Sequence, residues 1–235
     1  MRFKAIIFDL DGTIFDILER DAFARYRALN ELGYNVSLGE VNSHCRYGLG
    51  RMGIVKILGI AMTEKEAKKY IELSFVHFMK KEASSLTKMH DGARDVLSAL
   101  FKRYQLIVAT SRDALSSTEE ELERFDIRRF FTLVVTREVA AKYHGVNEMP
   151  LLPFHEQRRR LYACTLGLTG LEPEGILCVG DSVGELEPAR ELGIETIGVL
   201  TGFSSKEDFE NASISAIQDL THLVKALEQP NNTEC

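Results

Sequence analysis

Two aspartates one residue apart, Asp9 and Asp11, end an apolar run in the segment Lys4-Ala-Ile-Ile-Phe-Asp-Leu-Asp-Gly-Thr13. Carboxylates held so close repel, so their pairing implies a cation, a hydrogen-bond network or a reaction that needs both. One ionised carboxylate can attack an electrophile covalently, and a neighbour that retains its proton beside that charge can act as acid and then as base near neutral pH. The same arrangement recurs twice. Tyr104-Gln-Leu-Ile-Val-Ala-Thr-Ser-Arg112 ends in the hydroxyls of Thr110 and Ser111, and Gly175-Ile-Leu-Cys-Val-Gly-Asp-Ser-Val-Gly-Glu185 ends in two further acids, Asp181 and Glu185. Asp-Gly is also common turn chemistry, and a Thr-Ser pair is also an ordinary helix cap. Three strand ends in chain order, each with a suitable polar residue, say more than any one of them.

The elements that must position these residues can be read from patterning. Ala5–Phe8 is continuously apolar, as in a strand buried on both faces of a parallel sheet, so Asp9 and Asp11 emerge at its carboxyl end, where open α/β sheets place their sites. Strands are expected near 4–9, 105–109, 133–136, 175–179, 194–199 and 214–217. Helices near 91–103, 115–125, 154–167, 185–193 and 219–228 alternate with them. That alternation implies an α/β, doubly wound, Rossmann-like parallel sheet. Gly33, Gly167 and Gly193 fall where helices should end, and Gly92 near a helix start. Residues 16–86 break the alternation with helical patterns such as Ala22, Tyr26, Leu29, Leu32 and Ala67, Ile71, Phe75, Phe78, Met79, without a convincing strand. The expected division is a core of 1–15 and 87–235 with a helical insertion at 16–86, whose aromatic residues belong to the insertion's own core.

Asp9-Leu-Asp-Gly-Thr13 resembles the first motif of the haloacid dehalogenase superfamily of phosphohydrolases, and the resemblance spans nearly all of the chain outside 16–86. It implies that Asp9 is a nucleophile forming an aspartyl-phosphate and that Asp11 is the general acid and base. The segment ending in Thr110 and Ser111 resembles the second motif, which implies that Thr110 holds the phosphoryl group with the Ser111 N–H as a further donor. The segment 175–185 resembles the fourth, which implies that Asp181 binds Mg²⁺ together with Asp9 and the backbone carbonyl of Asp11. Glu185 stands where many relatives carry a second Asp; one methylene longer, it reaches the ion directly or through water. A helical insertion between the first and second motifs resembles the C1 cap of the phosphoglycolate phosphatase and β-phosphoglucomutase branch. Such a lid excludes water before phosphoryl transfer and reads the organic part of the substrate. In it, His44-Cys-Arg-Tyr-Gly-Leu-Gly-Arg51 offers Arg46 or Arg51 to a substrate anion, with a solvated loop as the alternative.

The chain departs from the family at the third motif, a Lys usually followed by Pro after the third core strand. Lys142 has close to the expected spacing after Val134-Val-Thr136. Arg158, near the start of the next helix, is the other candidate, since a helix start and a cation both favour an anion. The resulting expectation is a Mg²⁺-dependent phosphatase acting on a small phosphorylated metabolite. A phosphoglucomutase-like transfer uses the same core residues, and a non-catalytic phosphometabolite sensor is the alternative from another class. Haloacid dehalogenation is disfavoured because Asp11 is present, and a receiver-type signalling domain by the insertion and by Gly12-Thr13.

Composition fits that reading. With 45% hydrophobic residues in 235, the chain can bury a sizeable core. A net charge of −6 disfavours a nucleic-acid surface, and the strongest basic run, Arg158-Arg-Arg160, is short. No apolar stretch approaches a membrane span, and Met1 leads straight into the first strand with no room for a signal peptide. Cys45, Cys164, Cys178 and Cys235 lack metal-type spacing, and a reduced cytoplasmic setting is the simplest expectation.

Overall fold

The computed structural model describes residues 2–45, 48–146 and 152–228. Chain contacts divide it into two compact units, Met1–Ile14 with the chain from Met89 onward, and Phe15–Lys88.

The first unit is built on a six-stranded parallel sheet: β1 (Ala5–Phe8), β4 (Gln105–Ala109), β5 (Phe131–Val135), β6 (Ile176–Gly180), β7 (Glu195–Val199) and β8 (Ala216–Ile217), in spatial order β5-β4-β1-β6-β7-β8. Two two-residue strands, β2 (Phe15–Asp16) and β3 (Lys88–Met89), pair with each other. β1 is wholly buried, as its unbroken apolar run requires. It lies in register with β4 on one side and β6 on the other, Phe8 facing both Val108 and Val179. The polar residues after these three strands are thereby gathered at the carboxyl ends of the strands, beside the point between β1 and β6 where the strand order reverses.

Helices α6 (Ala93–Leu100), α7 (Leu115–Arg124), α8 (Arg137–His144), α9 (Phe154–Thr169), α10 (Val183–Glu191), α11 (Lys206–Asn211) and α12 (Leu223–Glu228) accompany the sheet. α8 was not among the expected helices. It starts directly after β5, its cap Thr136 accepting from the Val139 N–H at 3.5 Å, and ends at Gly145 in a left-handed conformation. Gly167 does not end a helix but lies within α9, which runs on to Gly170. A Cβ at Gly167 would lie 1.8 Å from the Tyr143 hydroxyl, so its small size serves close packing of α8 on α9.

The second unit contains α1 (Leu18–Glu31), α2 (Leu38–His44), α3 (Arg51–Ile57), α4 (Glu64–Phe78) and α5 (Lys81–Ser84). Its core joins Ala22, Ala28, Leu29, Val41, Ile54, Val55, Tyr70 and Leu73. Ser37 with Glu40 and Thr63 with Glu66 form reciprocal capping boxes that start α2 and α4. Phe75 departs from the expected core role. It is 49% exposed, and the Arg51 guanidinium lies 3.9 Å from its ring centroid. Among the described residues no helix is long and apolar enough to cross a membrane.

Candidate active site

Asp9 is the first residue beyond β1, its N–H donating to the Val179 carbonyl at 3.0 Å, which places it between β1 and β6. Its carboxylate is buried and accepts from Arg158 Nη1 at 3.1 Å. Asp181 follows β6 and is fully buried. Its Oδ2 accepts from the Phe203 N–H at 2.8 Å, its backbone carbonyl from the Ser204 N–H at 2.9 Å, and Thr13 Oγ1 lies 3.5 Å from Oδ1. Glu185, in the first turn of α10, brings a third acid, and carboxylate oxygens of Asp9, Asp181 and Glu185 lie within 4.8 Å of one another. Glu185 Oε2 is buried and finds no donor. Acceptors crowded in this way need a proton or a cation between them. Oxygen-only donors at such spacing suit a hard divalent ion, so the residues present fit Mg²⁺.

The electrostatics record the same crowding. Burial, reinforced by the Glu185 charge and opposed by Arg158, raises the Asp9 carboxyl well above the usual range. Burial and the Asp9 charge push Asp181 up to about 7, against the Phe203 N–H. Glu185 is pushed up to about 8, chiefly by burial, with Arg158 opposing and Asp181 reinforcing. Acids raised this way in the native state, from about 4 in the unfolded chain, contribute most to stability below that pH, and the contribution is lost as pH rises through the native values. In chelator the melting temperature should therefore fall between about pH 5 and 8, on the order of 5 °C. Saturating Mg²⁺ should flatten that slope, and its stabilisation should grow with pH. A slope unchanged by the ion in a thermal melt series would contradict a cation among these three acids.

Backbone space is part of the site. Gly12 adopts a φ of +91°, and a Cβ there would stand 2.2 Å from Asp181 Oδ2; at Gly202 the distance would be 1.8 Å. Thr201 Oγ1 donates to the Gly12 carbonyl at 2.7 Å, so the turn after β7 clasps the turn after β1 around Asp181.

Arg158 is the cation beside Asp9. It is fully buried in the second turn of α9, on the inward face it shares with Leu161, Tyr162 and Thr165. Nη1 also donates to Ser111 Oγ at 3.2 Å and lies 3.6 Å from Glu185 Oε1. Nη2 donates to the Tyr162 hydroxyl at 2.6 Å, which in turn donates to the Glu185 carbonyl at 3.1 Å. Lys142, favoured by spacing, is exposed in the last turn of α8, because that helix begins at once after β5 and carries the lysine onward along its length. Thr110, buried beyond β4, accepts from the Arg112 N–H at 3.4 Å.

The Asp11 carboxylate meets a different partner. It accepts from Arg112 Nη2 at 2.5 Å and from Nε at 3.0 Å, and Glu185 supplies the third carboxylate of the cluster beside Asp9 and Asp181. In the second unit, Arg51 pairs with Asp21 at 3.0 Å, and Arg25 pairs with the same carboxylate at 2.6 Å. Arg46 lies outside the described residues. Sequence reasoning passed over Arg112, Glu121, Tyr162 and the turn at 201–204. Signals existed: Glu121 shares the inner face of α7 with Thr118 and Leu122, and an arginine on the buried stripe of α9 is rare without a charge to meet.

A parallel sheet that holds a buried Asp between two strand ends, an acid cluster beside it and a buried cation against it is in keeping with the family model that the chain matches: residues 6–199 match that of the haloacid dehalogenase-like hydrolases. The chain belongs to that family, and within it to the phosphohydrolases. It is 24% identical over 222 residues to the phosphoglycolate phosphatase of Aquifex aeolicus, covering 94% of this chain and 96% of that protein. It is 26% identical over 243 residues to the glyceraldehyde 3-phosphate phosphatase of Methanocaldococcus jannaschii, covering 96% and 99%. A haloacid dehalogenase-like family hydrolase from Streptococcus pneumoniae shares the fold with a TM-score of 0.74 at 19% identity, over 97% of this chain and 99% of that one.

Proposed function

We propose that the protein hydrolyses a small phosphate monoester through a phosphoryl group carried on Asp9. The observation that carries this reading is Asp9 itself, held between the Arg158 guanidinium and the carboxylates of Asp181 and Glu185. Asp9, Asp181, the Asp11 carbonyl and Glu185, directly or through water, would hold Mg²⁺, which would supply positive charge to offset both the crowded acids and the phosphoryl oxygens.

The remaining chemistry belongs to the chain. An Asp9 oxygen attacks phosphorus as the bond to the leaving oxygen breaks, and Asp11 gives that oxygen its proton. Asp11 then takes a proton from water, whose oxygen attacks the phosphorus and returns Asp9 to a carboxylate with release of phosphate. Arg158, which keeps its proton at all working pH values, offsets charge on Asp9 and aligns the Ser111 hydroxyl, while Thr110 supports the same phosphoryl-binding turn.

The relatives include phosphatases of phosphoglycolate, glyceraldehyde 3-phosphate and N-acetylmuramic acid 6-phosphate, all phosphorylated small molecules, which supports a substrate of that class. The free thiols of Cys45, Cys164 and Cys178 accord with a reducing, cytoplasmic setting.

A panel of phosphate esters assayed with and without Mg²⁺ tests the reading. Metal-dependent phosphate release from short alkyl phosphates is expected, and release from none of them with either metal state would end it. Arg158→Met should lower kcat by about 10²-fold or more, the scale of a fixed group that stabilises transition-state charge, whereas Lys142→Ala should change it less than about twofold. Equal effects at the two positions in steady-state assays would remove Arg158 from this role.

A further inference from the structure

We infer that Arg112 is the positioning residue of the proton-transferring carboxylate, locking Asp11 to the phosphoryl-binding turn after β4 through a guanidinium anchored on Glu121. This rests on the phosphatase reading above and adds a residue to it. Arg112 grips Asp11 through a fork, Nη2 to Oδ1 at 2.5 Å and Nε to Oδ2 at 3.0 Å. A carboxylate offers about four acceptor positions, so two bonds from one planar group fix its plane and leave the other positions open. A lysine, a single point charge, would hold position but not plane.

The grip is itself held. Arg112 Nη1 donates to the Glu121 carboxylate, which is buried on the inner face of α7 and also receives Arg124 Nη2 at 2.8 Å. The backbone is fixed as well, the Arg112 N–H donating to Thr110 Oγ1 and its carbonyl accepting from the Arg137 N–H at 3.0 Å. One short segment, Thr110-Ser111-Arg112, thus contacts Arg158 through Ser111 and Asp11 through Arg112, coupling the cation beside the nucleophile to the group that moves the proton. An ordinary structural ion pair between buried groups is the competing account, and it makes no distinction between substrates.

Leaving groups make that distinction. For p-nitrophenyl phosphate the departing phenolate needs little protonation, whereas an alkyl phosphate such as 2-phosphoglycolate cannot leave without it. The constant kcat/KM reports only steps up to loss of the leaving group, so it isolates this proton transfer from the later attack by water.

Arg112→Gln is expected to lower kcat/KM for 2-phosphoglycolate, or for the alkyl phosphate the wild type prefers, by about tenfold or more, while that for p-nitrophenyl phosphate stays within about threefold. Arg112→Lys should recover part of the alkyl-ester loss. Glu121→Gln, which leaves the fork but removes the charge of its anchor, should show the same selectivity at smaller size. Equal losses on both esters, or no loss on either, would overturn the inference. Should Arg112→Gln fail to fold, Arg112→Lys and Glu121→Gln decide in the same way. Wild-type protein that turned over neither ester would instead overturn the phosphatase reading, and this inference with it.

Discussion

Asp9→Asn is expected to abolish phosphate release while leaving the fold intact. The amide keeps a carbonyl oxygen for the hydrogen bond from Arg158, so packing at the end of β1 is retained. An uncharged amide is a poor nucleophile, and turnover of any phosphate ester should drop by at least about 10⁴-fold, the scale seen when a covalent nucleophile is removed from a hydrolase. The variant should also melt higher than wild type in chelator at pH 8, because one of three crowded negative charges is gone. Purified Asp9→Asn turning over p-nitrophenyl phosphate at the parental rate would show that the nucleophile lies elsewhere.

Asp181→Asn should separate the metal from the rest of the machinery. Its side-chain oxygen still accepts from the Phe203 N–H, so the turn at 201–204 stays clasped, but the acid cluster loses the member that burial and Asp9 have pushed up to about 7. Magnesium activation and the magnesium-induced rise in melting temperature should both be lost, and kcat should fall by about 10³-fold, corresponding to several kcal/mol of charge stabilisation at the transferring group. In chelator the same variant should be more stable than wild type near pH 8. A calorimetric titration in which Asp181→Asn bound Mg²⁺ as tightly as wild type would exclude Asp181 as a ligand. The paired outcome, less activity with more metal-free stability, distinguishes a charge cluster kept for chemistry from one that merely holds the sheet together.

Much of the fold was legible because its signals are local. The six core strands lie where short apolar runs are bounded by turn residues, and a strand buried on both faces leaves little ambiguity about where its carboxyl end delivers the next polar side chain. α8 was missed because its eight residues are half charged or polar and only Ala140 is fully buried, so no apolar stripe announces it. Gly167 misled for a related reason. A glycine that relieves crowding against another helix looks, in one dimension, the same as one that ends its own.

Taken by itself, the sequence determined the chemical inventory and its grouping: Asp9 and Asp11 after β1, Thr110 and Ser111 after β4, Asp181 and Glu185 after β6. Parallel strands place consecutive carboxyl ends together, so position along the chain was enough to predict their meeting. Only the tertiary structure decided which cation meets Asp9, and it chose Arg158 over the better-spaced Lys142, because a helix delivers a side chain by its rotation about the axis and not by its distance from a strand. It likewise decided that the carboxylate of Asp11 turns to Arg112 while Glu185 completes the acid cluster. Those partners come from the turn before α7 and from α10, which are separate from β1 in the chain, and the charges that select between them act through space.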